Sequence, residues 1–366
     1  MAKTNLSHDR EPLCHIVKRD GLSLGKSVLV RALAIFAALV FCAIVCYLLI
    51  GANPLKLYST MIDGAFGTPR RIWKFVKDLA LLLGFALAVT PAFKMKFWNI
   101  GAEGQVLISC LASVACMYYF KGSVPNWAML LMMFVAAVLA GAIWAFIPAL
   151  FKALWNTNET LFTLMMNYVA TELVAYFLIV WTPDGSSTLG ALPYGHLPKL
   201  FNSEYVLLLI VIAVLTVAMF IYLKYSKQGY EISVVGESQK TANYIGINVK
   251  KVIVRTMIVS GAICGIVGFL IVGALDHSIT THTAGGLGFT AIIVSWLGKF
   301  NPGMMVLTSG LVVFLEQGAD RVSTVFDISS AFPSIVTGII LFFIIGCEFF
   351  VKYKIVFRHA EKKEVK

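Results

Sequence analysis

The residues able to do chemistry in this 366-residue chain stand at the edges of long apolar runs. The first group is Phe97-Trp98-Asn99-Ile100-Gly101-Ala102-Glu103-Gly104-Gln105, in which a carboxylate, two carboxamides and two glycines open a run long enough to cross a bilayer. A charge at the centre of a membrane helix costs at least about 2.5–3.5 kcal/mol, so Glu103 must face a cavity or a partner if it lies at depth. Gly101 and Gly104 would let the backbone unwind or another helix come close, exposing amides and carbonyls to a polar solute. The alternative is a helix start at the membrane surface, with Asn99 as cap and Glu103 in a first turn that the helix dipole favours. Residue types alone weigh the two equally.

Three further groups follow. Asn156-Thr157-Asn158-Glu159-Thr160 precedes an apolar run and contains two capping boxes, Thr157 with Thr160 or Asn156 with Glu159, and structural capping is the role expected of Asn158 and Glu159. Asn167, about two turns inside that run, needs a hydrogen-bond partner there; helix-to-helix contact is the plainer role and solute contact the sharper one. Lys224 to Lys251 is the longest polar interruption, with room for one or two short surface helices, one beginning near Ser238 and ending at Gly246. Such a helix, tethered to spans on both sides, can pass force into a bundle; an ordinary solvated loop is the bland alternative. Finally, glycines crowd Thr283 to Thr290 ahead of a short apolar segment ending near Gly298, as expected for a close crossing or a broken helix.

Other chemistries find no support in the pattern. Gly285-Gly286-Leu287-Gly288 lacks the spacing of a dinucleotide fingerprint, and no Walker A lysine motif exists, so the chain is not expected to hydrolyse ATP itself. His277 and His282, five apart, do not share a helical face as metal ligands would. They are expected with Asp276 and His196 as exposed loop residues, and no metal site is expected. The seven cysteines show no CxxC pair and indicate neither disulfides nor zinc. No serine or cysteine nucleophile has a base at recognisable spacing, and intramembrane carboxylates are too few for a proton relay.

The elements that must position these groups are set by composition. With 59% hydrophobic and 13% charged residues and a mean hydropathy of +0.83, water is not the main solvent. The expected fold is all-α and polytopic, with about ten transmembrane helices at 28–51, 78–93, 100–120, 126–150, 160–182, 204–224, 252–275, 286–299, 303–317 and 331–351. Those at 78, 286 and 303 are short. Tails at 1–27 and 352–366 flank a membrane domain at 28–351 that includes the polar region 224–251. Most Lys and Arg residues fall on one side if both termini are cytoplasmic, and the net charge of +11 reads as topology and not as nucleic-acid binding. Lys56, Arg70, Arg71, Lys74 and Lys77 violate that rule, and 52–77 is expected as an interfacial amphipathic helix broken by Gly64, Gly67 and Pro69.

Taken together, Asn99 to Gln105, Asn158-Glu159 with Leu164 to Tyr168, Gly229-Tyr230 to Val249, Ser260-Gly261-Ala262, Gly286 to Thr290, and Leu297-Gly298 with Asn301-Pro302-Gly303 occur in an order that resembles the permease subunits of ABC importers for nucleosides and simple sugars. That family is related to the ribose and branched-chain amino acid permeases. The resemblance covers about residues 50 to 350 and is nearest to the larger subunit of nucleoside importers. It implies a type II ABC importer-like fold, a second permease subunit forming a heterodimer, a cytoplasmic ABC ATPase that uses ATP and Mg, and an extracytoplasmic substrate-binding lipoprotein or periplasmic protein. It also implies a multi-pass protein surrounded by lipid in the cytoplasmic membrane of a prokaryote, with no cofactor bound by this chain. Trp98, Asn99, Glu103, Gln105, Asn167 and Phe289 would then line the substrate path, and Gly229, Tyr230, Gly236, Glu237, Ala242, Tyr244 and Gly246 would couple to the ATPase. Where relatives generally carry an arginine after the Gly-Tyr, this chain has Ser233, preceded by Glu231. A pentose or a branched-chain amino acid is the alternative cargo, and a stand-alone secondary transporter the alternative machine.

Overall fold

The structure is a computed structural model and describes residues 14–18, 24–51, 53–182, 188–200, 203, 205–329 and 331–357. Parts of both expected tails, 1–13, 19–23 and 358–366, and residues 183–187 of the expected outer loop lie outside the described residues. The chain divides into two compact units, Phe66–Phe314 and Met1–Ala65 with Leu315–Lys366.

In the Phe66–Phe314 unit the helices are α3 (Pro69–Lys94), α4 (Ala102–Tyr119), α5 (Asn126–Trp155), α6 (Glu159–Trp181), α7 (Val206–Tyr225), α8 (Lys227–Glu237), α9 (Gln239–Tyr244), α10 (Val249–Ile271) and α11 (Leu287–Leu297), followed by the first part of α12 (Pro302–Val325). α10 is the central element, packed on α3, α4 and α5. Its apolar window is 72% buried, against 22–28% for α5, α6 and α7. Small residues allow this. A Cβ on Gly261 would lie 2.2 Å from the Gly141 carbonyl oxygen of α5, and one on Gly265 would lie 2.5 Å from the Val138 Cα. Backbones that touch at this range gain van der Waals contact that lipid cannot supply.

Helix starts follow local chemistry. Ser226, Ser238 and Asn248 cap α8, α9 and α10, each side-chain oxygen accepting from the N–H three residues on. Neither expected capping box caps α6. Asn158 does so, accepting from Leu161 N, because Asn156 is consumed as the left-handed C-cap of α5 (φ 52°). Glu159 instead pairs with Lys152 at 2.8 Å.

The helical region 54–77 breaks at Gly67 and Pro69, as expected, whereas Gly64 stays inside a helix. α2 (Pro54–Phe66) ends before Gly67, Thr68 caps a new helix, and Pro69 takes its first position, where a missing N–H costs nothing. The span expected at 78–93 is therefore the back half of a 26-residue helix that carries Arg70, Arg71, Lys74 and Lys77 on its opening turns. α12 likewise extends the short span expected at 303 to 24 residues, whereas α11 stays short at 11.

α10 ends in a π-helical turn, Val272–Asp276, closed by His277 in the left-handed conformation (φ 50°). Residues 188–200 lie on this turn, with Leu192 N donating to His277 O and Leu197 N to Gly273 O, both at 2.9 Å. His196 and His277 are consequently half-buried and stacked, ring centroids 3.8 Å apart, in place of the exposed loop positions expected of them.

The second unit holds α1 (Leu24–Ile50), α2, the end of α12, α13 (Phe332–Lys352) and an unexpected two-stranded antiparallel ribbon. In it β1 (Cys14–Lys18) pairs with β2 (Tyr353–Phe357), Cys14 opposite Phe357. α1 packs on α13 through Phe41 and Phe343. Gly64 of α2 sits against Arg321, whose guanidinium pairs with Asp63 at 3.3 Å. Apart from this ribbon and an isolated Leu200–Ser203 bridge, the described elements are helical, and the fold is of the all-α polytopic membrane type. Among the described residues five stretches are long and apolar enough to cross a membrane: Asn126–Trp155, Glu159–Trp181, Val206–Tyr225, Val249–Asp276 and Ser334–Val351.

The α5–α10 seam should be intolerant of a single methyl group. Gly261→Ala is expected to cost about 1–3 kcal/mol and to lower the thermal midpoint of the detergent-purified protein. Gly338→Ala, with nothing within 4 Å of its added Cβ, should not.

Candidate functional site

Between α3 and α4 the chain makes a tight reversal. Lys96 takes φ 60°, Phe97 N donates back to Ala92 O at 3.0 Å, and the next residues turn into the protein. Asn99 is fully buried. Its Oδ1 accepts from Gly101 N (3.0 Å) and Gln105 Nε2 (3.2 Å), and its Nδ2 faces Gln105 Oε1 (3.5 Å) and Ser260 Oγ of α10 (3.4 Å). Ser260 in turn donates to Ala88 O of α3 at 2.7 Å, and Cys264 Sγ to Gln105 Oε1 at 3.4 Å. The segment is thus tied to α3 and α10 by a connected network.

α6 completes it. Asn167 Nδ2 donates to Ile100 O and its Oδ1 accepts from Gly104 N, both at 2.9 Å. Thr163 Oγ1 accepts from Ile100 N at 3.2 Å. A Cβ on Gly104 would lie 2.9 Å from Asn167 Oδ1, so the close-approach reading of the glycines holds. α4 starts at Gly101 with no side-chain cap of its own.

Glu103 lies in the first turn of α4 and its carboxylate finds a partner. It reaches across to α11, its Oε1 accepting from Gly286 N at 2.7 Å and its Oε2 from Gly288 N at 2.9 Å. It is a capping carboxylate supplied from another helix, placed where the dipole favours an anion and where orphan N–H groups need acceptors. A Cβ on Gly288 would collide with that carboxylate at 2.7 Å. α11 is further held to α3 by Ser295 Oγ, 3.0 Å from Ala86 O and 2.6 Å from Thr90 Oγ1.

The six path candidates therefore separate. Asn99, Gln105 and Asn167 are buried and Glu103 is engaged by α11, whereas Trp98 and Phe289 are about half exposed. Trp98 packs edge-on against Phe93 (5.8 Å) and at a tilt against Trp296 of α11 (5.5 Å), and Phe289 and Trp296 lie seven residues apart on that helix. The result is an aromatic shelf resting on a polar hub. Trp296, Ser260, Cys264 and Thr163 belong to this arrangement without having been expected as site residues. Ser260 stood in one of the motifs that carry the family resemblance; the only sequence signal of the others was small polar or aromatic types inside apolar runs.

The polar region 224–251 forms a second site. α8 lies against the C-terminal end of α3: a Cβ on Gly236 would lie 2.2 Å from Lys94 O, and Lys94 Nζ donates to Leu223 O at 3.2 Å. Gly229 is pressed as closely on Tyr222 O, 2.4 Å from its notional Cβ. Glu231 of α8 pairs with Arg255 of α10 at 2.8 Å, and Ser233 Oγ donates to Gly229 O. α9 turns at Ala242, which is fully buried, and ends at Gly246 (φ 83°), with Ile247 N donating to Ala242 O. Tyr230, Glu237 and Tyr244 point outward, Tyr244 at 93% exposure. At the opposite end of α3, Arg70, Arg71, Lys74 and Lys77 line an open cleft of about 1050 Å³ with Ser203 and Tyr205.

Residues 72–345 match the family described as the branched-chain amino acid transport system / permease component. The chain belongs to this permease family. It is 29% identical to the glucose ABC transporter permease TsgB13 of Haloferax volcanii over 84% of each chain. It is 29% identical to the guanosine ABC transporter permease NupP of Bacillus subtilis over 87% of this chain and 92% of that one. The nucleoside ABC transporter permease NupB of Lactococcus lactis is 26% identical over 87% and 91%. A permease of this family is the non-catalytic membrane component of an ABC importer, and membership implies an ATPase partner and a substrate-binding protein. Among the described residues no group of three His, Cys, Asp or Glu is placed to hold a metal.

The hub predicts that Glu103 matters to the stability of the permease. Glu103→Ala leaves two N–H groups without acceptors, at about 1–3 kcal/mol each, and should lower the thermal midpoint more than loss of the exposed cap in Asn158→Ala, about 1 kcal/mol. Glu103→Gln, which keeps one acceptor, should fall between.

Proposed function

We propose that the permease carries nucleosides inward through an ATP-driven importer, with both termini cytoplasmic and about ten spans. The reading is supported most by the exposed aromatic shelf of Trp98, Phe289 and Trp296, since planar bases stack on such rings. Guanosine and nucleoside permeases among its relatives agree with it. In this reading Asn99, Glu103, Gln105 and Asn167 hold the shelf in place and line the path only when the helices move. A second permease subunit completes the pore, and an extracytoplasmic lipoprotein or periplasmic protein delivers the solute. A simple sugar is the second reading, favoured by the equal identity to the glucose permease.

The same reading makes α8 and α9 the element that docks on the ATPase. α9 presents Tyr244 and Ile245 outward, while Gly236 and Gly229 leave no room for α8 to shift without moving α3 and α7. A push on α9 is then passed through α8 to the C-terminal end of α3 and the reversal that carries Trp98.

Two outcomes check this. Radiolabelled nucleoside uptake into cells should be lost when this gene is deleted or the ATPase inactivated, and competed by nucleosides but not by pentoses or branched-chain amino acids. Tyr244→Ala and Gly236→Leu should abolish uptake and substrate-stimulated ATP hydrolysis while the protein still reaches the membrane. Normal uptake in both variants would remove the coupling role.

A further inference from the structure

α6 carries a charge where the rest of its outer face is apolar or aromatic. Glu172 stands thirteen residues after Glu159 and nine before Trp181 in this helix, roughly 20 Å from its start at about 1.5 Å per residue. That is the middle of a hydrocarbon layer of about 30 Å. The buried face of α6 is Thr163, Asn167, Ala170, Val174, Leu178 and Trp181. Glu172 lies on the other side, exposed, one turn from Tyr168 and one turn from Tyr176, each 61% exposed. The structure gives its carboxylate no hydrogen bond or ion pair with another described residue.

Lipid does not account for this face. Glutamate is too short to reach the membrane surface from mid-helix, and α6 contains no Lys, Arg or His to neutralise it. Of the helices packed on α6, α4 has no basic residue and the one lysine of α5, Lys152, is taken by Glu159. An intramembrane carboxylate that stays ionised in this position must meet water, a solute or a partner's cation. The flanking tyrosines favour a solute, because they add ring faces and hydroxyls on either side of an acceptor with no donor of its own.

We propose that Tyr168, Glu172 and Tyr176 line the translocation path at mid-membrane, with Glu172 accepting hydrogen bonds from hydroxyl or amino donors of the passing solute. The identity of that solute as a nucleoside rests on the reading above. A solute with a planar ring and several donors fits the stripe, whereas a phosphorylated nucleotide is repelled by the carboxylate. Glu172 is thus a specificity residue that the helix pattern alone presents as a blemish in an apolar run.

The test uses the whole importer, permease pair and ATPase, in proteoliposomes with its binding protein, and follows uptake of a labelled nucleoside, ribose and a nucleoside monophosphate. Glu172→Leu should lower the maximal nucleoside rate by about tenfold or more, the size of one lost hydrogen bond to a charged group. The half-saturating concentration, complex yield and basal ATP hydrolysis should not change, and Glu172→Asp should recover part of the rate. Glu172→Cys should react with a water-soluble thiol reagent to which the parent protein is inert at the same dose, and solute-loaded binding protein with ATP should slow that reaction. A full rate in Glu172→Leu, or a cysteine at 172 that stays inert, overturns the proposal. So does failure of both Glu172→Leu and Glu172→Gln to assemble, which would give Glu172 to a contact with the second subunit. If the parent importer takes up ribose and no nucleoside, the nucleoside reading fails, and a Glu172→Leu defect in ribose uptake would still support the site.

Discussion

The Phe66–Phe314 unit depends on one constraint: a chain that breaks its helices inside an apolar medium must supply its own hydrogen-bond partners. Each unmet backbone group there costs several kcal/mol. The reversal before α4 and the start of α11 are both such breaks. Glu103 joins them, its two oxygens serving the N–H groups of Gly286 and Gly288. Charge-assisted bonds of 2.7 and 2.9 Å are the strong kind, roughly twice a neutral one. The carboxylate is tolerated at that depth because it completes another helix.

The same logic accounts for the rest of the hub. Asn99, Gln105 and Asn167 are amides, each with donors and an acceptor: Asn99 and Asn167 join backbone groups to a second helix, and Gln105 links Asn99 to Cys264 of α10. Around them, glycine contacts draw α5 and α10 to touching distance, so that α10 can serve as a buried axis. α8 meets this assembly at the C-terminal end of α3, where a Cβ on Gly236 would lie 2.2 Å from Lys94 O, four residues before Trp98.

The arrangement also divides labour along the permease. Asn99 and Gln105 are buried and hold position through hydrogen bonds, whereas the aromatic Trp98 and Phe289 are about half exposed, although all four stand in or beside motifs of similar appearance.

By itself the sequence determined the membrane-type helical fold, the family, the short α9 between Ser238 and Gly246, and the need for partners at Glu103 and Asn167. The family follows from the resemblance of several motifs in order, and the rest from apolar run length, capping types and the cost of an unpaired polar group, all of which are local. Only the tertiary structure decided which partners those are, since Gly286 lies 183 residues from Glu103 and Ser260 lies 161 from Asn99. It also decided that Asn156 ends α5 instead of opening α6, and that 14–18 and 353–357 pair as strands. The stacked pair His196 and His277 was hidden for the same reason, because sequence spacing says nothing about which loop folds back on which helix end.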